Sequence, residues 1–99
     1  MEKSSMREMR WQAVDEADYS ITPIGPFYAV FHAPSGATHI LTEVALEILR
    51  LARPAPLSAT ELAARLQQEF ALEAAGDVPA IVARRIAELD DLGLIAPVL

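Results

Sequence analysis

The side chains that could carry out chemistry in this sequence are few, and two histidines come first. His32 and His39 flank a short turn, and the pairing expected for the strands on either side puts them diagonally on one face. Two imidazoles so arranged could share a metal ion, but a metal site needs three or four converging ligands and no third one stands nearby. The sequence therefore favours two hydrogen-bonding histidines and predicts no metal.

Other chemical groups are missing or isolated. There is no cysteine, which excludes disulfides, thiol nucleophiles and cysteine-based metal sites together. The acidic cluster of Asp15, Glu16 and Asp18 lacks the alternating oxygen ligands and the glycine of a calcium loop, so we interpret it as solvated. Glycine-rich phosphate loops and Ser/His/acid combinations at a known spacing are also absent. We therefore expect no catalytic activity and no cofactor.

Arg85 is the residue whose position most needs an explanation. A rotation of about 100° per residue puts it near the middle of the apolar arc of a predicted helix, whereas Arg84 points to solvent with Glu88, its i+4 partner. A bare buried guanidinium is too costly, so Arg85 must snorkel, pair with an acid, or line a groove that a partner fills. The apolar residues of this arc are Val78, Ile81, Val82, Ile86, Leu89 and Leu92.

Length and charge limit the class of protein. The chain has 99 residues, of which 53% are hydrophobic, and 14 acidic residues against 8 basic ones give a net charge of −6. A chain of this size forms one domain with one modest core, which excludes multi-domain enzymes. The acidic balance argues against nucleic acid as a partner, because phosphate binding depends on clustered Lys and Arg. No run approaches the ~18 apolar residues of a membrane span, so we expect no membrane partner and a cytoplasmic protein.

Breaker residues and hydrophobic patterning divide the chain into a terminus and one domain. Residues 1–8 are polar and predict a disordered N-terminus, and residues 9–99 form the domain. Within the domain, residues 9–14 predict a first strand. Residues 15–26 carry the acidic cluster and several breakers, so they predict a loop.

A β-hairpin follows this loop. The aromatic and β-branched run Phe27–His32 and the run Ala37–Leu41 enclose a four-residue turn. Pro34 suits that turn because it presets φ at the first central position, and the glycine at the exit allows a positive φ. Pairing His32 with Ala37 then gives one face that is predicted to pack on the core. Its residues are Phe27, Ala29, Phe31, Thr38 and Ile40.

Three helices follow the hairpin, each marked by a cap. The predicted caps are, in order, Thr42, a capping box of Ser58 and Glu61, and Asp77. The first helix covers Glu43–Ala52, and the third runs to Leu92, where Gly93 ends it. The buried stripes are predicted to be Val44, Ile48, Leu49 and Ala52 in the first helix, and Leu62, Ala63, Leu66 and Phe70 in the second, with Leu94 and Ile95 packing back on the core.

This order of elements predicts an α+β fold of the winged-helix-like kind, with a three-stranded antiparallel sheet followed by three helices (βββααα). The strand Ala37–Leu41 is expected at the border of the sheet, where unpaired amides and carbonyls accept a peptide as an added strand. Three apolar residues on the hairpin face turned away from the predicted core, Tyr28, Val30 and Leu41, also predict a weak homodimer.

The order of these elements and several motifs resemble the PqqD-like family of peptide chaperones, also called RiPP precursor recognition elements. The motifs are GATHILT at residues 36–42, which a helix follows at once, and LDDLGLI at residues 89–95, which closes the third helix. Trp11, the strand Phe27–His32 and the turn after it most resemble the branch found in HPr-kinase-related (HPr-rel-A) gene clusters. The resemblance covers about residues 11–95.

The resemblance implies a peptide-binding adaptor that takes up the leader of a ribosomally made precursor peptide and presents it to a modifying enzyme encoded nearby. In that family the leader joins the sheet beside the third strand and packs against the third helix. The corresponding positions are Thr38, His39, Ile40 and Leu41 on the strand and Val82, Arg85 and Leu89 on the helix. Two alternatives remain open, a winged-helix DNA-binding domain and a structural subunit of a larger enzyme complex.

Overall fold

The computed structural model describes residues 9–70 and 78–98, apart from the side chains of Glu16 and Phe70. Along these residues the chain forms an α+β fold with two small antiparallel sheets and three helices. The predicted disorder of residues 1–8 and the predicted cap Asp77 lie outside the described residues. The elements are β1 (Arg10–Ala13), a 3₁₀ turn (Glu16–Asp18), β2 (Tyr19–Ile24), β3 (Phe27–His32), β4 (Ala37–Leu41), α1 (Glu43–Ala52), β5 (Leu57–Ser58), α2 (Ala59–Phe70), α3 (Val78–Asp91) and β6 (Ile95–Val98).

The first sheet has the strand order β2-β3-β4 and contains the predicted hairpin. β3 and β4 pair in the predicted register, with His32 opposite Ala37. Gly36 has the positive φ, 71°, that the end of the turn requires. The Ser35 hydroxyl donates to the carbonyl of His32 and accepts from the amide of Ala37, at 3.3 Å each. The bounds and register of the hairpin are therefore confirmed.

The prediction of a loop over residues 15–26 is wrong, because this segment contains β2, which pairs antiparallel with β3 along its whole length. Pro23 is compatible with a strand because β2 lies at the edge of the sheet, where a missing amide breaks no ladder. Gly25, at φ 56°, begins the turn into β3. Pro26 excludes a type I′ turn here, because proline cannot adopt the second positive φ that this turn requires.

The second sheet has the strand order β5-β1-β6, so the prediction of a single three-stranded sheet is also wrong. β1 forms where it was predicted, but Trp11 lies opposite Leu57 on one side and Pro97 on the other, and not beside the hairpin. The amide of Val14 continues this sheet by donating to the carbonyl of Leu94 at 3.0 Å. β5 has two residues and β6 has four, which is too short for a strand pattern to stand out in the sequence.

The predicted caps of α1 and α2 are confirmed. The Thr42 hydroxyl accepts from the amide of Ala45 at 3.2 Å. At α2 the capping box closes in both directions, since the Glu61 amide donates to the Ser58 hydroxyl at 3.1 Å and the Ser58 amide donates to the Glu61 carboxylate at 2.9 Å. These bonds satisfy amides that the first turn of a helix leaves without a partner.

The end of α3 also follows the prediction. Gly93 has φ 80°, its amide donates to the carbonyl of Asp90, and the Leu94 amide donates to the carbonyl of Leu89, at 3.0 Å each. This pair of bonds is a Schellman motif, for which glycine is the preferred residue. It turns the chain so that Leu94 and Ile95, both fully buried, pack back on the core, as predicted.

The hairpin packs on the core through the face opposite to the predicted one. Val30 is 0% and Leu41 is 6% exposed, whereas Ile40 is 60% exposed. The surface predicted to form a homodimer, which included Val30 and Leu41, is therefore part of the core. α1 begins immediately after Thr42 and contacts β3 and β4, so it covers the face that carries Leu41. None of the residues predicted to form the core face is buried; they are Phe27, Ala29, Phe31, Thr38 and Ile40.

The core lies where α1 meets both sheets, α2 and α3. The predicted stripes of α1 and α2 are confirmed, except that Val44 is half-buried and the Phe70 side chain is not described. Within the described residues, no helix combines the length and the apolar character needed to cross a membrane. The largest fully buried side chains are Ile48, Leu49, Leu62, Leu66, Leu89, Leu94 and Ile95.

Candidate functional site

β4 is an open edge of the first sheet. It pairs with β3 on one side, and no described residue pairs with it on the other. In an antiparallel sheet, alternate residues of an edge strand turn both their N–H and their C=O groups outward. Over its five residues, β4 therefore offers unpaired backbone donors and acceptors to a further strand.

The other edge strands have features that oppose such pairing. β2 contains Pro23 and β6 contains Pro97, and proline offers no amide to a new neighbour. β5 has only two residues. β4 has neither a proline nor a charged side chain. Of the strand edges that the structure describes, β4 is therefore the one best suited to accept another strand.

The predicted site residues on β4 divide between the two faces of the sheet. Thr38 and Ile40 lie on the open face, and Ile40 is 60% exposed. His39 is half-buried and Leu41 is buried, both on the side of the core. Side chains of a strand added beside β4 would alternate in the same way, between the open face and the border of the core.

Two buried polar atoms on the core side of this sheet, Nε2 of His39 and the hydroxyl of Tyr19, find no hydrogen-bond partner among the described residues. Leaving such a group unpaired costs about 1–3 kcal/mol. Tyr19 did not emerge from the sequence because residues 15–26 were interpreted as a loop, whereas it begins β2 opposite His32. His39 is the member of the pair that lies on the candidate edge.

The other candidate chemical residues make local hydrogen bonds. Nδ1 of His32 lies 3.1 Å from the Ser35 hydroxyl, which agrees with the hydrogen-bonding interpretation of this histidine. Asp15 accepts from the amide of Ala17 at 3.1 Å and so holds its own turn. No three potential ligand side chains converge among the residues that the structure describes.

The three predicted site residues on α3 differ in accessibility. Val82 and Leu89 are 0% and 1% exposed, so they belong to the core and present no surface to a partner. The side chain of Arg85 is 25% exposed and pairs with Glu88, three residues further on. Glu88 was predicted to pair with Arg84, but Arg85 reaches it because its partly buried stem ends at the surface beside the carboxylate. Of the three explanations for Arg85, the structure shows two together: the stem snorkels to the surface, and the guanidinium pairs there with an acid.

β4 and α3 both pack against α1, while α3 also packs on α2 and β6. The described residues enclose no pocket. A partner at β4 would therefore lie along an open edge rather than in a cavity, and Arg85 is the only predicted residue of α3 with accessible surface to offer it.

The face of the first sheet that is turned away from the core, here called the outer sheet face, is open and apolar. Its four large apolar side chains, on Ile24, Phe27, Phe31 and Ile40, are between 41% and 60% exposed. No Asp, Glu, Lys or Arg occurs anywhere in residues 19–42, and this gap in charge is the sequence signal that could have located the face. The face consists of Ser20, Thr22, Ile24, Phe27, Ala29, Phe31, Thr38 and Ile40.

Two carboxylates away from β4 have shifted pKa values. Burial raises the pKa of Glu47 on α1; Arg50, 2.9 Å away, opposes this shift, and the like charge of Glu69 adds to it. The backbone amide of Ser58 lowers the pKa of Glu61, because its hydrogen bond favours the charged form. Glu47 lies in α1 and Glu61 in α2, so these pKa shifts affect the stability of the fold rather than binding at the β4 edge.

Comparisons with known proteins assign no family to this chain. No family model, curated protein or solved structure matches it. Its function has to be argued from the β4 edge and the surfaces beside it.

Proposed function

We propose that this chain is a non-catalytic peptide-binding adaptor of the PqqD-like kind. The leader of a ribosomally made precursor peptide joins the first sheet as a strand beside β4, and the adaptor presents the peptide to a modifying enzyme encoded nearby. The observation that carries this proposal is the β4 edge, with five residues and neither proline nor charge, beside other edges that are short or contain proline. In strand addition, backbone hydrogen bonds supply affinity and alternate side chains supply specificity.

The motif that carries the family resemblance falls on this same edge. GATHILT, at residues 36–42, includes the turn glycine with its positive φ, the whole of β4, and Thr42, which caps α1. These residues therefore fix both ends of the edge strand. The proposal extends to a winged-helix-like arrangement of α1, α2 and α3, which is supported by the packing of the three helices on one another.

Side chains of the leader would be selected on both sides of β4. On the open side they meet Ile40 and Thr38, which favours apolar groups. On the core side they lie next to Leu41 and His39. Arg85 remains in the proposal as a contact for an acidic leader side chain, which would replace Glu88 as the partner of the guanidinium. Val82 and Leu89 hold α3 in position from within the core.

A winged-helix DNA-binding domain is the second candidate, and its weakness is charge. The chain has a net charge of −6, and Arg85 is already paired with an acid. The affinity for DNA depends on the number of phosphates that the protein neutralises, so it falls steeply as the salt concentration rises. Strand addition depends mainly on backbone hydrogen bonds and apolar contacts. A structural subunit of an enzyme complex, the third candidate, would bind the enzyme without binding the leader.

The test is an amide-shift titration of the isotopically labelled chain with synthetic peptides that cover the N-terminal segments of the short open reading frames beside its gene. We expect the largest shifts at Thr38, His39 and Ile40, and little change in affinity with salt. The Arg85→Ala variant is titrated in parallel. If its guanidinium meets a leader acid, binding weakens by about 1.5–3 kcal/mol, the value for a hydrogen bond to a charged group.

Three results would overturn the proposal. Shifts confined to α2 would remove the β4 edge from the site. Tight, strongly salt-dependent retention on duplex DNA would favour the DNA-binding domain. Binding of the modifying enzyme with no response to the leader would favour the structural subunit. Equal affinities of the wild type and Arg85→Ala would remove only the contact at α3.

A further inference from the structure

The outer sheet face is an exposed apolar surface, and its chemistry indicates the kind of partner that would cover it. It holds four apolar side chains that are each at least 41% exposed, on Ile24, Phe27, Phe31 and Ile40. All four lie on three neighbouring strands. Ile24 on β2 is opposite Phe27 on β3, and Ile40 on β4 is opposite Ala29, which lies between Phe27 and Phe31. An apolar surface of a few hundred Å² is comparable to the largest patch on a typical soluble monomer, and such patches often serve as interaction sites.

The distribution of charge in the chain distinguishes between three possible partners of this face: a membrane, another protein and a second copy of the chain. The chain as a whole has a net charge of −6, yet residues 19–42 carry no formal charge. Anionic lipid surfaces attract basic segments and repel an acidic protein, which argues against a membrane. A partner with charged residues at the contact would have to remove them from water without any opposite charge to pair with. A second copy of this chain brings another uncharged face and keeps the acidic remainder of both copies outside the contact.

We propose that two copies of this chain associate through their outer sheet faces, packed against each other as in a β-sandwich. Two sheets packed in this way lie about 10 Å apart with strands nearly aligned, and side chains from the two inner faces interdigitate. A two-fold axis through the contact would bring the same residues together from both copies. Phe31 lies within the contact, on the central strand of the sheet and two residues from Ala29, which is at the middle of the face.

The size of the face sets the strength of the dimer. Strands of six residues at about 3.4 Å per residue, three abreast at about 4.8 Å, span roughly 20 Å by 14 Å, or about 300 Å² on each copy. Two such faces bury roughly 600 Å² in total, whereas stable protein interfaces bury about 1,200–2,000 Å², so this contact is weak and transient. The dimer therefore forms and dissociates with concentration rather than holding permanently.

Face packing leaves the β4 edge open. The hydrogen bonds of an edge strand lie in the plane of its sheet, whereas this contact is made perpendicular to that plane. This consequence rests on the proposed function, under which the dimer presents two leader-binding edges at once. The dimer itself does not depend on leader binding, so the two proposals succeed or fail separately.

The experiment is sedimentation of the full chain over a concentration range of about a hundredfold, reaching about 1 mM because the contact is small. The wild-type mass should rise with concentration towards twice the monomer mass. Phe31→Glu should weaken the association at least about tenfold, since it brings one unpaired negative charge from each copy into the apolar contact. Val98→Glu is the matched control. It adds the same charge at a side chain that is also 41% exposed but lies in the other sheet. It should associate like the wild type.

The fold of each variant is checked by circular dichroism and thermal unfolding. If Phe31→Glu does not fold, Ile40→Glu takes its place, since a side chain 60% exposed leaves the new carboxylate in water in the monomer. A wild-type chain that stays a monomer throughout contradicts the proposal, as does a folded face variant that associates like the wild type. A monomeric wild type whose capture of the modifying enzyme is lost in Phe31→Glu assigns the face to that enzyme instead.

Discussion

Neighbouring residues on β4 provide a sharp test of which face of the hairpin packs on the core. Leu41 is 6% exposed and Ile40 is 60% exposed, although both are large aliphatic residues one position apart. The structure therefore predicts a much larger loss of stability for Leu41→Ala than for Ile40→Ala. Hydrophobic patterning alone predicts the reverse, because it assigns Ile40 to the core face.

The expected difference follows from burial. Leu41→Ala removes buried carbon atoms and leaves a partial cavity beneath α1, which costs about 2–4 kcal/mol. Ile40→Ala loses burial for less than half of its side chain, together with some strand preference, so it costs less than about 1 kcal/mol. In a domain of this size, 1 kcal/mol corresponds to a shift of about 4–8 °C in the unfolding midpoint.

The assay is urea and thermal unfolding of both variants at low protein concentration, where association through the outer sheet face does not contribute. The slope of the unfolding free energy against urea should stay the same, so that differences in midpoint report stability. Equal losses for the two variants, or a larger loss for Ile40→Ala, would refute the assignment of the faces.

Three further predictions concern the helices. Gly93→Ala should destabilise the protein by about 1–2 kcal/mol through backbone strain at φ 80°. A steric clash does not contribute, because no atom lies within 4 Å of the added Cβ. A D-alanine at this position should restore the urea midpoint, and no loss of stability with L-alanine would contradict the strain. The pKa of Glu47 is raised, so the stability that this group contributes is present below its ordinary value of 4.5 and is lost as the pH rises through the raised folded value. Glu47→Gln should therefore gain stability relative to the wild type as the pH rises above 4.5, and a pH-independent difference in urea unfolding would contradict this. Arg85→Ala should change the unfolding free energy by less than about 1 kcal/mol, since Glu88, its partner, is 53% exposed, and a larger loss would mean that the stem of Arg85 supports the core.

Local signals in the sequence predict the parts of this fold that depend on local chemistry. The turn at Gly36, the N-cap Thr42, the capping box of Ser58 and Glu61, and the C-terminal Gly93 each satisfy backbone groups within a few residues, so their bounds follow from residue type. The register of the hairpin follows from the length of its turn in the same way.

Local sequence patterns do not determine the long-range features of this fold, which are the partners of β1 and the choice of the buried face of the hairpin. Trp11 pairs with Leu57 and Pro97, and no local pattern reports partners so far along the chain. The two faces of β3 are both apolar, so alternation could not choose between Val30 and Phe31 as the buried residue. The choice is made by α1, whose packing side is a tertiary property. For the candidate site, the edge strand was predictable, and the apolar arc of α3 already indicated that Val82 and Leu89 are buried. Only the family resemblance assigned these two residues to the leader contact.

The central claim, strand addition at β4, is tested most directly with leader peptides methylated on alternate backbone nitrogens. An added strand turns every second amide towards β4 and the others towards solvent. Of two peptides, one methylated at odd and the other at even positions, one should therefore bind like the unmodified leader. The other should lose at least about tenfold in affinity, because two or more backbone hydrogen bonds are removed. Equal affinities of the two methylated peptides would contradict strand addition at this edge.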